Sequence, residues 1–370
     1  MRRHLLALPL ALLLVLLLGA TASLARPALP PQAEGPDRTL TVMTRNLYFG
    51  AGLTDVLAAQ TEEEFLTEAI AAFETAMASD FPARAAAIAD EIVDEEPALI
   101  GIQEATWWTT TTLTDPPQPV PAMTVDFVGL ILDELADRGA SYTAVETVEG
   151  FDAEIPVEQL GASVRLTVGD VLLARTDLPT SRLKISNVQS GTYDTMISLP
   201  SPIGELAFPR QWISADVKVR GAQARVITTH LESIAAPVRI GQALELLAGP
   251  ADTGLPVIAI GDFNAQITAE GDASALLLDA GFEDAWATAR PGEPGLTCCQ
   301  DDDLRNPVSD LTSRIDLILT RGEFRVEDVR VVGDEPQPSL SDLGVLYPSD
   351  HAGVVADLVL PHPRTARAGR

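Results

Sequence analysis

Residues 256–264 read Pro-Val-Ile-Ala-Ile-Gly-Asp-Phe-Asn. The run Pro256 to Gly261 has the unbroken apolar character of a strand buried on both faces. Asp262 and Asn264 follow at once, at a strand end, where sites are commonly built on a rigid sheet. Alone, Gly-Asp-Phe-Asn reads as a turn whose Asp and Asn bond nearby backbone. Its company changes that reading. Asn46 in Thr44-Arg45-Asn46-Leu47, Glu104 in Gly101-Ile102-Gln103-Glu104, His230 and Glu232 in Thr229-His230-Leu231-Glu232, and Asp316 in Ser313-Arg314-Ile315-Asp316 also close strands or follow them. Asp350 and His351, in Ser349-Asp350-His351-Ala352-Gly353, immediately precede a final strand.

Of the four histidines, His4 lies in an N-terminal leader and His362 in a Pro/Arg tail, so both body histidines, His230 and His351, fall in these blocks. Histidine is the side chain best suited to proton transfer near neutral pH. Carboxylate and amide oxygens gathered at strand ends suit a hard divalent cation such as Mg²⁺, which keeps room for substrate phosphate. One metal, two histidines and paired carboxylates supply what phosphoryl transfer needs: charge neutralisation, an aligned water and a protonated leaving group.

In order and spacing, from about Thr39 to Leu360, these blocks resemble the endonuclease/exonuclease/phosphatase superfamily, of the secreted bacterial type. The resemblance implies an α+β, DNase-I-like fold, a four-layer α/β/β/α sandwich. It implies Glu104 as principal Mg²⁺ ligand, with Asn46 beside it and Asp350 as a further metal or orienting carboxylate. Asp262 would orient or deprotonate the attacking water, Asn264 grip a phosphate oxygen, and His230 donate to the phosphoryl group or leaving oxygen. His351 would contact the phosphate opposite the metal, its tautomer fixed by Asp316. Mn²⁺ or Ca²⁺ are alternatives to Mg²⁺. Some relatives carry Asp where Tyr48 stands, and others an active-site Tyr or Arg before the strand at Val171 to Arg175. Arg165 and Asp170 are the substrate-contact candidates there, with a surface turn the competing reading. Trp107 is a further candidate, against the commoner fate of core packing.

The expected activity is that of an exported, metal-dependent phosphoester hydrolase, a phosphodiesterase before a small-phosphoester phosphatase. Nucleic acid, phospholipid (sphingomyelin included) and small phosphoesters all remain as substrates. The rival from another class is a catalytically silent binding protein on the same scaffold.

Around the blocks, elements alternate. A strand spans Thr39 to Asn46. An inserted helix, roughly Thr61 to Met77, opens with a Thr61-Glu62-Glu63-Glu64 capping box. A second helix follows Pro82 (Ala83 to Asp94), then a buried strand from Ala98 to Gln103. Thr106 to Ala122 reads as a Thr/Pro-rich loop holding Trp107 and Trp108, and Val125 to Asp137 as an amphipathic helix. Short strands are expected at Ser141 to Val148, Val171 to Arg175, Trp212 to Val219, Arg225 to His230, Arg314 to Thr320, Val326 to Val332 and Gly353 to Leu360, with a helix at Arg239 to Leu247. Helices fall between strand runs, so one large layered domain, residues 39–361, is expected.

Residues 1–25 have a signal peptide's form: basic Arg2-Arg3, an apolar run from Leu5 to Leu18, then small residues with cleavage sites after Ala22 or Ala25. That run falls short of a bilayer span of about 20 residues, so a secreted or periplasmic protein without a stable membrane anchor is expected. Residues 26–38 form a polar, Pro-rich spacer, and 362–370 a basic tail expected to be disordered. Against 53 acids stand 25 bases, a net charge of −28. Such a surface repels polyanions, which disfavours tight nucleic-acid binding but not cleavage under metal-ion screening. Cys298 and Cys299 are the only cysteines. A strained vicinal bridge, free thiols, an intermolecular bridge or a metal contact are the alternatives. Asp301-Asp302-Asp303 beside them reads as a solvated loop before a Ca²⁺ site.

Overall fold

The computed structural model describes residues 37–113, 123–157, 161–267, 270–337 and 345–362. The leader, most of the spacer and nearly all of the tail lie outside the described residues. The first half of the chain carries β1 (Thr39–Asn46), α1 (Thr54–Ala58), α2 (Glu62–Ala78), α3 (Phe81–Glu95), β2 (Leu99–Thr112), β3 (Met123–Asp126), α4 (Phe127–Asp137), β4 (Tyr142–Val157) and β5 (Ala162–Arg175). Then come β6 (Lys184–Thr192), β7 (Ile197–Ser201), β8 (Gly204–Phe208), β9 (Gln211–Val219), β10 (Ala222–His230), α5 (Ala236–Ala248), β11 (Val257–Asp262) and α6 (Ala273–Asp279). β12 (Glu283–Asp284), α7 (Ala285–Ala289), β13 (Asp316–Arg321), β14 (Arg325–Val332) and β15 (Gly353–Val359) complete the order.

Two sheets result. One runs β14-β15-β1-β2-β5-β4, with β3 paired to the far end of β2; the other runs β12-β13-β11-β10-β9-β6. Alternation along β1 and β2 sorts their side chains between two faces. Val42 and Leu99 pack inward against Ala215, Val226, Ile258 and Ile260 of the second sheet. Met43, Ile100 and Ile102 face outward against Phe81, Ile88 and Ile92 of α3 and Ile131 of α4. On the far side, Ile227, Val257, Ala259 and Leu319 meet Ala243 and Leu246 of α5 and Leu277 of α6. Helices, sheet, sheet, helices: the four layers are those expected.

The sheets meet closely beneath the polar blocks. Gly101 faces Thr228, whose Oγ1 would collide with any Cβ there. Beside it Gln103 Nε2 donates across the sheets to Thr228 Oγ1 at 3.1 Å while its Oε1 accepts from Thr44 Oγ1 at 2.9 Å. Gly261 has φ +153°, and a Cβ would strike the Thr229 carbonyl. Glycine is what lets β11 lie this close to β10.

Several expectations need correction. Thr106 to Ala122 is not a loop from its start, since β2 runs on to Thr112 and pairs with β5 from Ala105 to Thr112. Thr109–Thr112 and the two tryptophans are strong β-formers, and their Thr/Pro composition concealed it; residues 114–122 lie outside the described residues. The helix expected from Val125 starts at Phe127, because Asp126 caps it by accepting from Gly129 N at 3.0 Å. The short strands expected at Ser141 to Val148 and Val171 to Arg175 belong to a long β4–β5 ribbon. The inserted helix is present as α2. Thr61 Oγ1 accepts from Glu64 N at 3.2 Å, and Glu64 answers at Gln60 N, one residue earlier than a capping box requires.

Candidate active site

Strand register assembles the site. β10 pairs with β11 so that His230 stands opposite Asp262, and β11 with β13 so that Asp262 stands opposite Asp316. One row across three strands therefore carries three polar blocks. In the other sheet Asn46 lies opposite Gln103, and the irregularity between Ile102 and Ala105 displaces Glu104 from the ladder. Glu104 takes φ 54°, and Tyr48 and Asn264 are likewise left-handed at 55° and 49°. Non-glycine residues adopt such angles at a cost, and they concentrate at functional sites.

Asp262 Oδ2 is the meeting point. It accepts from Asn46 Nδ2 at 3.2 Å and lies 3.5 Å from His230 Nε2 and 3.9 Å from His351 Nε2. Its Oδ1 accepts from Asn264 N at 2.9 Å. Asn46 Nδ2 also donates to Glu104 Oε1 at 3.1 Å, and Phe49 N donates to Glu104 Oε2 at 2.9 Å. Asn264 donates one amide hydrogen to the Leu231 carbonyl at 2.9 Å, which leaves its second for another acceptor. His351 Nδ1 donates to Asp316 Oδ2 at 2.8 Å, both groups buried.

The histidines are tuned in opposite directions. Burial pushes the His230 imidazole well below its ordinary range, and the nearby Arg210 and His351 charges push the same way. Burial also opposes charge on His351. There the carboxylates of Asp316, Asp350 and Asp262 prevail and hold it well above the ordinary value. Asp262 and Asp350 are both raised, first by burial. Asp170 is raised well above the carboxylate range, by burial and by Glu104 and Asp262.

The cleft has an empty volume of about 1430 Å³, and its lining includes Glu104, Asp170, Glu232, Asp262 and Asp350. Against these acids the one arginine among the described lining residues is Arg210. Asp170 Oδ2 and Glu232 Oε2 are buried there without a hydrogen-bond partner. This excess of carboxylates over cations fits a divalent cation, with Glu104 and Asp350 supplying hard oxygen donors and Asn46 Oδ1, which also accepts from Tyr48 N at 2.9 Å, beside them. Asp262, Asp316 and His351 also offer atoms within 4.8 Å of one another. A cation there would displace the proton that joins Asp316 to His351, so the Glu104 side of the cleft suits it better. Cys298, Cys299 and His351 form another such group. The two cysteines lie sulfur to sulfur as a vicinal pair in the cleft wall.

Two substrate candidates are not brought to the cleft. Arg165 projects from β5 into solvent, held by Asp152 at 2.7 and 2.6 Å. Trp107 packs half-buried against the outer core, and Trp108 is buried with Nε1 donating to the Phe49 carbonyl at 2.9 Å. Asp170 does line the cleft. Asp301, Asp302 and Asp303 are exposed.

Three arginines escaped the sequence reading. Arg210 NH1 lies 2.9 Å from His230 Nε2 and 3.0 Å from Nδ1 and donates to whichever carries no proton, and its Nε stands 3.7 Å from Glu232 Oε2. Arg45 is fully buried, binding the His351 carbonyl and, at 3.1 Å, Glu91. Arg84, also fully buried, donates to Pro348 O at 2.9 Å, Tyr48 O at 3.0 Å, Ser79 Oγ at 3.1 Å and Leu47 O. It ties the Asn46 strand end to the segment leading into Asp350-His351. The available signal was its place on the apolar face of α3, between Phe81 and Ile88. Arg84→Met is expected to leave those carbonyls unpaired and lower stability by on the order of 3 kcal/mol. Thermal melting checks this, and an unchanged midpoint would remove Arg84 from the site's support.

The profile of the Endonuclease/Exonuclease/phosphatase family matches residues 75–351. No curated protein matches. Similar solved structures include a mannosyl-6-phosphatase from Bacteroides thetaiotaomicron, 18% identical over 87% of this chain and 100% of that one, TM-score 0.55. An endonuclease/exonuclease/phosphatase from Beutenbergia cavernae is 22% identical over 87% and 72%, TM-score 0.52. TDP2 of D. rerio, complexed with single strand DNA product, is 16% identical over 87% and 99%, TM-score 0.51. At these identities the likeness is one of fold.

Proposed function

Because the chain belongs to the endonuclease/exonuclease/phosphatase family, whose members hydrolyse phosphoesters, we propose that it is a Mg²⁺-dependent phosphodiesterase. The observation that carries this is the convergence of Asn46, His230 and His351 on one Asp262 oxygen beside Glu104. When bound by Glu104, Asp350 and Asn46, the cation supplies charge neutralisation for the phosphoryl oxygens.

The residues divide the remaining work. Asp262, its affinity for protons raised, orients the water and takes its proton as oxygen bonds to phosphorus. As the P–O bond to the alcohol breaks, the leaving oxygen needs a proton. His351 enters the reaction already protonated, and Asp316 holds its ring so that Nε2 faces the cleft. His230 is kept neutral, so it offers one N–H to a phosphoryl oxygen rather than an acid's proton. Arg210, beside it in the cleft, and the free Asn264 hydrogen add donors for the same oxygens. An empty binding scaffold would have no use for two buried histidines set to opposite protonation states.

Export is proposed on the 1–25 leader alone, and fractionation of expressing cells checks it. The activity is checked with bis-p-nitrophenyl phosphate and p-nitrophenyl phosphate, each with Mg²⁺ and with chelator. Diester hydrolysis that chelator removes and Mg²⁺ restores is expected. Monoester cleavage alone would make the protein a phosphatase, and chelator-insensitive cleavage or none would overturn the reading.

A further inference from the structure

A second cavity of opposite chemistry adjoins the cleft. Its empty volume, open solvent included, is about 720 Å³. Helix α1 contributes Leu57, the inserted helix α2 Phe65 and Phe73, and the ribbon Ile155. The β7–β8 hairpin contributes Leu206 and Phe208. Among the described residues every one that lines it is hydrophobic. The single polar handle, Trp108 Nε1, is already given to the Phe49 carbonyl. Leu53, Leu57, Phe151, Leu166 and Phe208 line this cavity and the cleft alike. Phe151 and Phe208, stacked at 5.0 Å between centroids, stand where the two meet.

The walls are not packed as a core is. Phe151, Ile155, Leu206 and Phe208 are only half-buried, and Ile203 at the hairpin turn is 42% exposed. Apolar side chains left this open beside a polar cleft mark a site for an apolar group. That group is aliphatic rather than a nucleobase. A base would bury hydrogen-bonding edges against walls that offer no partner, and the −28 net charge repels a polyanion.

We propose that this cavity takes a hydrocarbon chain of the substrate, so that the phosphodiester cleaved next door belongs to an amphiphile. The inference rests on the phosphodiesterase reading and narrows it. The chain supplies binding energy remote from phosphorus, and each methylene it buries strengthens binding roughly fourfold. The inserted helix α2 thereby becomes part of the specificity apparatus.

The test is kcat/KM for p-nitrophenyl methyl, butyl and octyl phosphates with Mg²⁺, in wild type, Ala69→Phe and Leu206→Gln. Ala69 and Leu206 line only the apolar cavity; one change fills it and the other makes it polar. With about three or four of the seven added methylenes buried, wild type should gain on the order of 100-fold from methyl to octyl, and both variants should lose most of that gain. Their methyl-ester rates should stay within about twofold of wild type. Methyl-ester cleavage with no dependence on chain length overturns the cavity's role and leaves the phosphodiesterase intact. If no ester is cleaved, the phosphodiesterase reading falls, and calorimetry with octylphosphonate decides the cavity separately. Binding that Ala69→Phe weakens at least tenfold supports it; equal or absent binding overturns it. Dihexanoyl phosphatidylcholine monomers and dipalmitoyl phosphatidylcholine vesicles then separate a soluble amphiphile from a bilayer lipid. Cleavage of either supports the chain site and assigns its source, and cleavage of neither restricts it to single-chain esters.

Discussion

Glu104→Gln is expected to cut Mg²⁺-dependent diester hydrolysis by on the order of 10³-fold, the several kcal/mol that metal charge neutralisation provides. The same change should erase the rise in melting temperature that Mg²⁺ gives wild type. That rise corresponds to about 2.7 kcal/mol when the cation is at 100 times its dissociation constant. Without metal, the two proteins should melt within a few degrees of each other. The substituted amide would keep an acceptor for Phe49 N but lose one for Asn46 Nδ2. Against that loss, removing the Glu104 charge relieves Asp170, Asp262 and Asp350, each of which it pushes toward protonation. Wild-type turnover in the variant would detach the metal from Glu104. A collapse of metal-free stability would make the residue structural instead.

The parts of this site that were legible in the sequence share a physical cause. β1 alternates apolar residues with threonine and β11 is an unbroken apolar run, and the residues at their ends are polar because they face a cleft; both signals are local. The register that sets His230 opposite Asp262 and Asp262 opposite Asp316 is not local, and only the resemblance to a known family implied it. Arg84 shows the limit most clearly, since its carbonyl partner Pro348 is 264 residues away. Nothing near Arg84 says what it binds, although an arginine on an apolar helix face says that it binds something. The β4–β5 ribbon was underread for another reason. From Phe151 onward β4 alternates half-buried with exposed residues, because there one face looks onto the apolar cavity rather than a closed core. Arg165 misled because it follows the apolar alternation of β5. Its outward face carries it to Asp152, whereas Asp170 shares the opposite face with Leu166 and Val168 and lines the cleft with them.

Asp316→Asn carries the second large effect, on the order of 10²–10⁴ in kcat, by analogy with loss of a buried carboxylate that orients a catalytic imidazole. Asp316 has no role at the Glu104 end, so the Mg²⁺ concentration for half-maximal rate should stay close to wild type. Equal losses in kcat and in metal affinity would show that Asp316 supports the metal rather than His351. A titration of the metal-free protein separates the cases further. His351 should titrate above the ordinary histidine range in wild type and fall toward it in Asp316→Asn, since Asp316 is the nearest of the carboxylates that raise it. The sign of the stability effect follows from linkage. A histidine whose folded pKa is raised contributes stability fully present below its unfolded value of about 6.5 and lost as pH rises through the folded one. The melting gap between wild type and Asp316→Asn should therefore be widest just below neutrality and close in alkaline buffer. A gap that widened with pH would mean that the pair is held by a neutral imidazole, and the protonated His351 on which leaving-group protonation depends would have to be abandoned.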